Sequence, residues 1–205
     1  MSERLALERT RLGMKLLLLG LVIFLGIHSV RIVADDWRTR ICARHGKLLW
    51  KGAYSLLSLL GLVLLVWGFG LARQQPVQIW NPPLGMRHLA SPLTLIAFVL
   101  LAAAYVPGNS IKARLHHPMV LAVKVWALAH LLANGNLAHL MLFGSFLIWA
   151  VLDYSAARRR DRAEGTRYPS GSLVATVITV LVGLAGWLMF ALWLHGMLIG
   201  VRPLG

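Results

Sequence analysis

Long runs of apolar residues alternate with short polar segments along the chain. Six runs of roughly 17 residues or more are long enough to cross a membrane as α-helices, because the hydrocarbon core is about 30 Å thick and a helix rises about 1.5 Å per residue. The six predicted spans are residues 14–33, 53–71, 88–105, 118–133, 137–154 and 173–198. The pattern therefore predicts an all-α fold, a polytopic transmembrane helical bundle of about six spans that forms a single domain over residues 1–205.

Turn residues mark the ends of two of these spans. The Pro-Gly-Asn triplet at residues 107–109 follows the third, and Asn134–Gly135 separates the fourth from the fifth by a predicted helix cap and tight turn. The polar connection at residues 155–171 is rich in arginine, and we expect it to be the most mobile segment. Arg31 stands where a signal peptide would carry small cleavage-site residues, so we interpret the first span as uncleaved.

Composition supports a membrane environment. The chain is 58% hydrophobic and 14% charged, with 21 Lys and Arg against 7 Asp and Glu. In a soluble protein this surplus would indicate nucleic-acid binding. Here the basic residues lie between apolar runs, where they act as topology signals and contact anionic lipid head groups. We therefore expect a lipid bilayer as the partner and no nucleic acid. The single cysteine, Cys42, excludes an internal disulfide and a cysteine-based metal cluster within one chain.

The distribution of the basic residues also predicts the topology. Lys and Arg are concentrated in the first, third and fifth loops, which the positive-inside rule places in the cytoplasm. Both termini are then expected on the outer side of the membrane. The basic residues at the N-terminus favour the opposite orientation, so the rule is not obeyed at every loop.

Histidine is the residue type in these spans that could carry chemistry. The chain has no glycine-rich phosphate loop, GxSxG or HExxH motif, and its carboxylates are scarce. Four of the eight histidines, His28, His130, His139 and His195, lie within or at the edge of an apolar span, and His117 lies at the mouth of the fourth. Imidazole can ligate iron, shuttle protons and be buried in its neutral form. The alternative is that each histidine hydrogen-bonds a backbone carbonyl or sits at the head-group level.

His28 and His130 have neighbours that suit a flat ligand. Trp126 and His130 are four residues apart and share one face of the fourth span, and His28 stands between the small residues Gly26 and Ser29. Two histidines from different transmembrane helices, with small and aromatic residues nearby, are what bis-imidazole ligation of haem b requires. Packing and hydrogen bonding alone would account for the same pattern.

Lys124 lies near the middle of the fourth span, where burial of a charge is costly. On helical geometry it is about 120° around the helix from His130, so we do not expect it on the same face. No carboxylate within a span offers itself as a partner. A haem propionate or a water-filled cavity would supply one.

Three short elements resemble the NnrU family of membrane proteins. They are HSVR at His28–Arg31, HP at His117–Pro118 and WALAHLLANG at Trp126–Gly135. The resemblance is closest over residues 14–160, with a final span at 172–199. The family includes bacterial proteins associated with denitrification and nitric oxide metabolism. It also includes the plant 15-cis-ζ-carotene isomerase, a haem b enzyme that this chain resembles distantly. The resemblance implies a multi-pass protein of the bacterial inner (cytoplasmic) membrane, with its termini in the periplasm.

In that isomerase the corresponding histidines are the proposed axial ligands of the iron. The resemblance therefore implies haem b held by His28 and His130, with Trp126 beside it. It also implies that reduction of the iron releases one ligand, and that the ferrous centre isomerises a double bond of a lipid-soluble polyene. The predicted spans place His28 and His130 at depths that differ by about 13 Å, whereas His117 lies on the same side as His28. We predict His130 as the second ligand and keep His117 as the alternative.

Three functions compete at this point. The first is a haem b membrane protein with redox or isomerase chemistry, linked to denitrification and nitric oxide metabolism or to a lipid-soluble substrate. The second is a small transporter or proton relay that uses Lys124 and the buried histidines. The third is a non-catalytic assembly or regulatory factor whose basic loops, with Arg158–Arg160 foremost, dock a partner complex. The substrate and the oligomeric state are left open.

Overall fold

The structure, a computed structural model, describes residues 2–204 of the chain. Within this range the chain forms ten α-helices and one π-helical segment. They are α1 Ser2–His28, α2 Val30–Val33, α3 Asp35–His45, α4 Lys47–Ala72, α5 Leu84–Tyr105, α6 Ser110–Leu115, α7 Pro118–Ala133, α8 Leu137–Glu164, α9 Leu173–Met189, the π-helical segment Phe190–Leu194 and α10 His195–Ile199. The predicted all-α fold is confirmed.

Each of the six predicted spans is found as an apolar helix. Among the described residues, five helices are long and apolar enough to cross a membrane: α1, α4, α5, α8 and the run Leu173–Ile199, which joins α9 to α10. The remaining helix, α7, is equally apolar but has only 16 residues. It is therefore about 24 Å long, which is shorter than the hydrocarbon core. The chain is a multi-pass membrane protein, and the prediction of about six spans is confirmed.

The helix boundaries differ by four or more residues from the predicted ones at four of these spans, including α5, which begins at Leu84. The first helix ends at His28, and the next residues form the separate α2. At the break the Ser29 hydroxyl donates to the Leu25 carbonyl oxygen at 2.6 Å. α4 begins at Lys47 and α8 continues to Glu164, both well into polar sequence. Hydropathy marks the edge of the hydrocarbon, whereas backbone hydrogen bonding continues beyond it. The first part of the arginine-rich connection is accordingly helical.

By contact density the chain divides into two compact units. The first consists of the residues up to Asn81 together with Asn134–Ala156, and the second consists of Pro82–Ala133 together with the residues from Ala157 onward. The prediction that the whole chain is a single domain stays a prediction.

In the first unit, α1 and α4 pack antiparallel along a seam of small residues. Gly13, Gly20, Gly61 and Gly68 each face the backbone of the opposite helix so closely that an added Cβ would come within 3.0 Å of it. The contacts pair Gly13 with Ala72, Leu17 with Gly68, Gly20 with Leu65, and Phe24 with Gly61. On each helix the contact residues are spaced alternately by four and three, which is the spacing of a left-handed coiled-coil seam.

The second unit is built on α5, which packs against α7 and α9. Gly183 of α9 lies against the Val99 backbone of α5, and an added Cβ would be 2.6 Å from the Val99 Cα atom. One turn further on, the Trp187 indole donates a hydrogen bond to the Thr94 hydroxyl at 3.0 Å. A close glycine contact and a cross-helix hydrogen bond thus both contribute to the packing of α5 against α9.

The Pro-Gly-Asn triplet forms the turn between α5 and α6. Asn109 is 2% exposed, and its side-chain amide donates to the carbonyl oxygens of Ala103 and Val106 at 3.0 and 2.6 Å. Its side-chain oxygen accepts the Lys112 amide at 2.7 Å and so caps α6. Asn109, the turn residue identified from sequence, therefore forms hydrogen bonds with backbone groups at the end of α5 and at the start of α6.

The glycine seam predicts opposite effects for two neighbouring substitutions. Gly68→Ala should destabilise the protein by about 1–3 kcal/mol, because the new methyl group meets the backbone at Leu17. Gly70→Ala is the matched control on the same helix, since nothing lies within 4 Å of its added Cβ. It should stabilise by about 0.5–1 kcal/mol, because alanine loses less backbone entropy than glycine in a helix. Thermal unfolding in detergent measures both, and equal shifts of the same sign would contradict the seam.

Candidate functional site

His28 is the last residue of α1, and aromatic rings surround it within the first unit. Its ring stacks on Phe24 with centroids 4.2 Å apart, and it contacts Tyr54 of α4 at 5.1 Å and Trp149 of α8 at 6.1 Å. Its Nδ1–H donates to the Phe24 carbonyl oxygen at 2.7 Å. In the neutral ring Nε2 then carries the lone pair. The hydrogen bond and the three rings therefore fix both the orientation and the tautomer of His28.

One buried polar atom beside these rings, the Trp149 Nε1 atom, lacks a hydrogen-bond partner among the described residues. A buried donor without a partner costs about 1–3 kcal/mol, so such atoms are rare in native proteins. Its position beside His28 favours a bound polar group at this place, from a ligand or from water.

His130 is anchored within the second unit in the same way as His28. Its Nδ1–H donates to the carbonyl oxygen of Trp126 at 2.9 Å, and the two rings are 5.2 Å apart. The half-buried imidazole therefore also has its lone pair on Nε2. Ala127 and Ala129 on the same helix are fully buried. The helix thus holds Trp126 and His130 together, as their spacing predicts.

His117 takes part in a polar cluster in the second unit, which we call the Asp161 cluster. One carboxylate oxygen of Asp161 accepts hydrogen bonds from His117 Nε2 at 2.9 Å and from the Tyr168 hydroxyl at 3.1 Å. Arg158 Nη1 and His116 Nδ1 lie 3.6 and 3.7 Å from the same oxygen. The Asp161 side chain is only 12% exposed. His117 is the alternative haem ligand predicted from sequence. Its Nε2 atom is hydrogen-bonded to a carboxylate.

Backbone strain accompanies this cluster. His116 has φ 71° and ψ −79°, and the His117 amide donates to the Leu115 carbonyl oxygen across it at 3.1 Å, which defines a γ-turn. A residue other than glycine pays roughly 1–3 kcal/mol for such a conformation. Burial lowers the pKa of His116, and the positive charge of Arg158 lowers it further, while Asp161 acts in the opposite direction. The contacts to Asp161 and Tyr168 hold the turn in place.

The remaining histidines have local structural partners or lie at the surface. His139 caps α8 together with Asn136, and its Nδ1 atom is 2.6 Å from the Asn136 side-chain oxygen. His195 Nδ1 is 2.6 Å from the Val201 carbonyl oxygen. His45 and His88 are exposed. These surroundings agree with the structural alternative for these four residues.

Lys124 is half-buried in α7, and no described residue forms a hydrogen bond or ion pair with its side chain. Its six-residue separation from His130 places the two on different faces of the helix, as expected from the sequence. The structure therefore offers no side-chain partner that would account for a lysine at this position.

The chemistry of the His28 and His130 imidazoles, each taken separately, suits an axial haem ligand. Each directs Nδ1–H to the carbonyl oxygen one turn earlier, and outer hydrogen bonds of this kind fix a ligating histidine in metal sites. Trp149 would supply a donor near His28. Over residues 2–204, no three His, Cys, Asp or Glu side chains are grouped to hold a metal ion. Since haem iron takes two protein ligands at most, that finding concerns other kinds of metal site.

Sequence reasoning did not identify Asp161, Tyr168 or Trp149. The sequence shows Asp161 only as one charge within an arginine-rich run, and Tyr168 follows it in a polar connection. Nothing in the spacing of either residue pairs it with His117. Tryptophan is a common packing residue in apolar helices, so the position of Trp149 beside His28 emerges only from the fold.

The Asp161 cluster predicts a selective loss of stability. Asp161→Asn keeps the shape of the side chain but removes its charge, so the hydrogen bonds from His117 and Tyr168 lose a charged acceptor. We expect the free energy of unfolding to fall by about 1–3 kcal/mol. Glu164→Gln makes the same charge change three residues later at an exposed position, and it should have an effect within about 0.5 kcal/mol. Thermal unfolding of both variants in detergent provides the comparison, and equal effects would refute a structural role for the cluster.

Comparison with known proteins adds one finding. A family model described as NnrU protein matches residues 16–203, which is nearly the whole chain and includes the last span. No curated protein and no solved structure matches the sequence. The family match agrees with the apolar helices and with the elements around His28, His117 and His130, and the chain therefore belongs to the NnrU family.

Proposed function

We propose that this membrane protein binds haem b, with His28 and His130 as the axial ligands. The observation that carries the proposal is the shared anchoring of the two imidazoles, in which Nδ1–H donates to a carbonyl oxygen one turn earlier. This arrangement presents Nε2 as the basic nitrogen, and a hydrogen bond from the other ring nitrogen to a carbonyl oxygen raises the basicity of a ligating histidine. The unpartnered Trp149 Nε1 atom beside His28 adds support.

Haem b would supply an iron that can change oxidation state and bind a further ligand. The chain's own residues would hold and orient it. Phe24 and Trp126 would orient the two imidazole rings through the contacts described above, and Tyr54 and Trp149 pack beside His28. The chemistry we propose is a redox reaction linked to denitrification and nitric oxide metabolism, or the cis–trans isomerisation of a lipid-soluble polyene.

His130 is a better second ligand than His117 for a structural reason. The Nε2 atom of His117 is 2.9 Å from the Asp161 carboxylate. Ligation through that atom would break this bond and leave a largely buried carboxylate with one donor fewer, which is costly. Ligation through Nε2 of His130 keeps its hydrogen bond to Trp126 intact.

The haem proposal predicts a visible absorbance spectrum. Protein expressed with ample haem and purified in detergent should show a low-spin b-type Soret band that shifts on reduction with dithionite. His28→Ala and His130→Ala should each lose the band or become high-spin, because each removes one axial nitrogen. His139→Ala is the matched control, since His139 also lies in an apolar helix but caps it through Asn136. Its spectrum should be unchanged.

Three results would contradict the proposal. A spectrum that survives His130→Ala but fails in folded His117→Ala would transfer the ligand role to His117. Folded protein with no chromophore would exclude haem and favour a second candidate, a small transporter or proton relay. The half-buried Lys124, which no described residue pairs, favours that candidate, and Lys124→Ala would then abolish function while His28→Ala would not. Tolerance of every histidine substitution would favour a non-catalytic assembly or regulatory factor.

We also propose the bacterial inner membrane as the location, with both termini in the periplasm. The basic residues of the first, third and fifth loops support this orientation. The single cysteine is a natural reporter, because Cys42 lies in α3 within the first loop. A membrane-impermeant maleimide should label it in inverted vesicles and not in intact spheroplasts. A permeable maleimide gives the full extent of labelling, Cys42→Ser gives the background, and labelling in spheroplasts would reverse the topology.

A further inference from the structure

A cavity of about 360 Å³ lies in the first unit, between the first half of α1 and the segment that follows α4. One face of α1 contributes most of its lining. The α1 residues are Leu7, Thr10, Arg11, Met14 and Lys15. They recur at intervals of three and four, so they form a single stripe along the helix. Most of the cavity wall is therefore one face of α1, and no residue of α4 itself lines the cavity.

The opposite wall of the cavity is positioned by the glycine seam between α1 and α4. Gly13 of α1 packs against the backbone at Ala72, the last residue of α4. The chain continues from there to Gln75 and Val77, which complete the lining. The cavity thus begins where the close contact of the two helices ends. Its walls are held by the same packing that defines the unit.

The charged side chains that line the cavity are basic, and one polar atom in the lining lacks a hydrogen-bond partner among the described residues. Arg11 and Lys15 are four residues apart, and like charges at this spacing repel each other on a helix. The Thr10 hydroxyl is buried and has no hydrogen-bond partner among the described residues. None of the residues that line the cavity is acidic. An anionic group at this position would relieve the repulsion and accept a hydrogen bond from Thr10.

The position along the membrane normal selects the kind of anion. α1 has 27 residues and is about 40 Å long, so it exceeds the hydrocarbon core by roughly 10 Å. The predicted first span begins near Met14, which places Arg11 and Lys15 at the boundary between hydrocarbon and head groups. Leu7, Met14 and Val77 make the rest of the lining largely apolar. Cations at the head-group level beside an apolar wall suit an anionic phospholipid.

We propose that this cavity binds one anionic phospholipid, with its phosphate between Arg11 and Lys15 and the Thr10 hydroxyl as a donor. An acyl chain lies along the apolar part of the lining. The site is independent of haem, because it uses none of the residues around His28 or His130. A lipid held here would also bridge α1 to the segment after α4.

Native mass spectrometry of the full-length protein in detergent tests this assignment. Phosphatidylglycerol and phosphatidylcholine with identical acyl chains are titrated, and phosphatidylglycerol should bind more tightly. The double variant Arg11→Gln, Lys15→Gln should weaken its binding about thirtyfold, since each basic residue near an anionic head group contributes about fivefold. The control is Arg4→Gln, Arg9→Gln, which makes the same charge change on α1 outside the lining. It should retain most of the wild-type affinity.

Thr10→Val keeps the size and charge of the site and tests the hydrogen bond alone. It should weaken phosphatidylglycerol binding about fivefold, with phosphatidylcholine unaffected. Four results would overturn the proposal. These are equal affinities for the two lipids, equal losses in the two double variants, unchanged binding in Thr10→Val, and binding of inorganic phosphate alone as tight as that of the lipid. The last result would define a phosphate site in place of a lipid site.

Discussion

Close contact between helix backbones is the constraint on which the first unit depends. Lipid tails are as apolar as leucine side chains, so hydrophobic burial does not hold helices together in a membrane and close packing must do so. The α1–α4 seam supplies this contact from Gly13 to Phe24. Both candidate ligand sites of the unit follow from it. His28 comes one turn beyond one end of the seam, and the cavity at Thr10 lies beyond the other end. Substitutions in the seam would therefore act on both sites at once.

A second constraint decides how histidine is carried within the apolar helices. A helical carbonyl oxygen that already accepts a backbone amide has a second lone pair, and His28 and His130 each use it four residues back. This bond satisfies one ring nitrogen locally, so the helix can hold a neutral imidazole at low cost. It also leaves the other nitrogen basic. The same bond that makes histidine tolerable in the membrane therefore prepares it for a ligand, whereas Lys124 has no comparable local partner.

Hydropathy predicts most of the fold, because the membrane imposes the length and composition of each span. The six helices, the turn at Asn109 and the contact between Trp126 and His130 all depend on neighbours in sequence. The break at Ser29 and the polar extension of α8 do not, since they depend on hydrogen bonds that continue or end independently of hydropathy. Of the candidate site, the sequence indicates the histidines. It does not indicate Asp161, because His117 and Tyr168 lie in separate connections and no sequence spacing pairs them with it.

The γ-turn at His116 shows that His117 has a structural role in the second unit, whatever ligand it contacts. A strained turn persists only when its surroundings hold it, and here Asp161 binds the next residue while Tyr168 packs against the strained one. Removing the His117 side chain would release this restraint and leave Asp161 without one of its donors. Loss of stability would then follow whether or not His117 touched a cofactor. The hydrogen bond from His130 to the Trp126 carbonyl oxygen stays within α7 and holds no strained turn. The haem spectrum of a His130 variant can therefore be interpreted directly. For a His117 variant, the stability of the fold must be measured together with the spectrum.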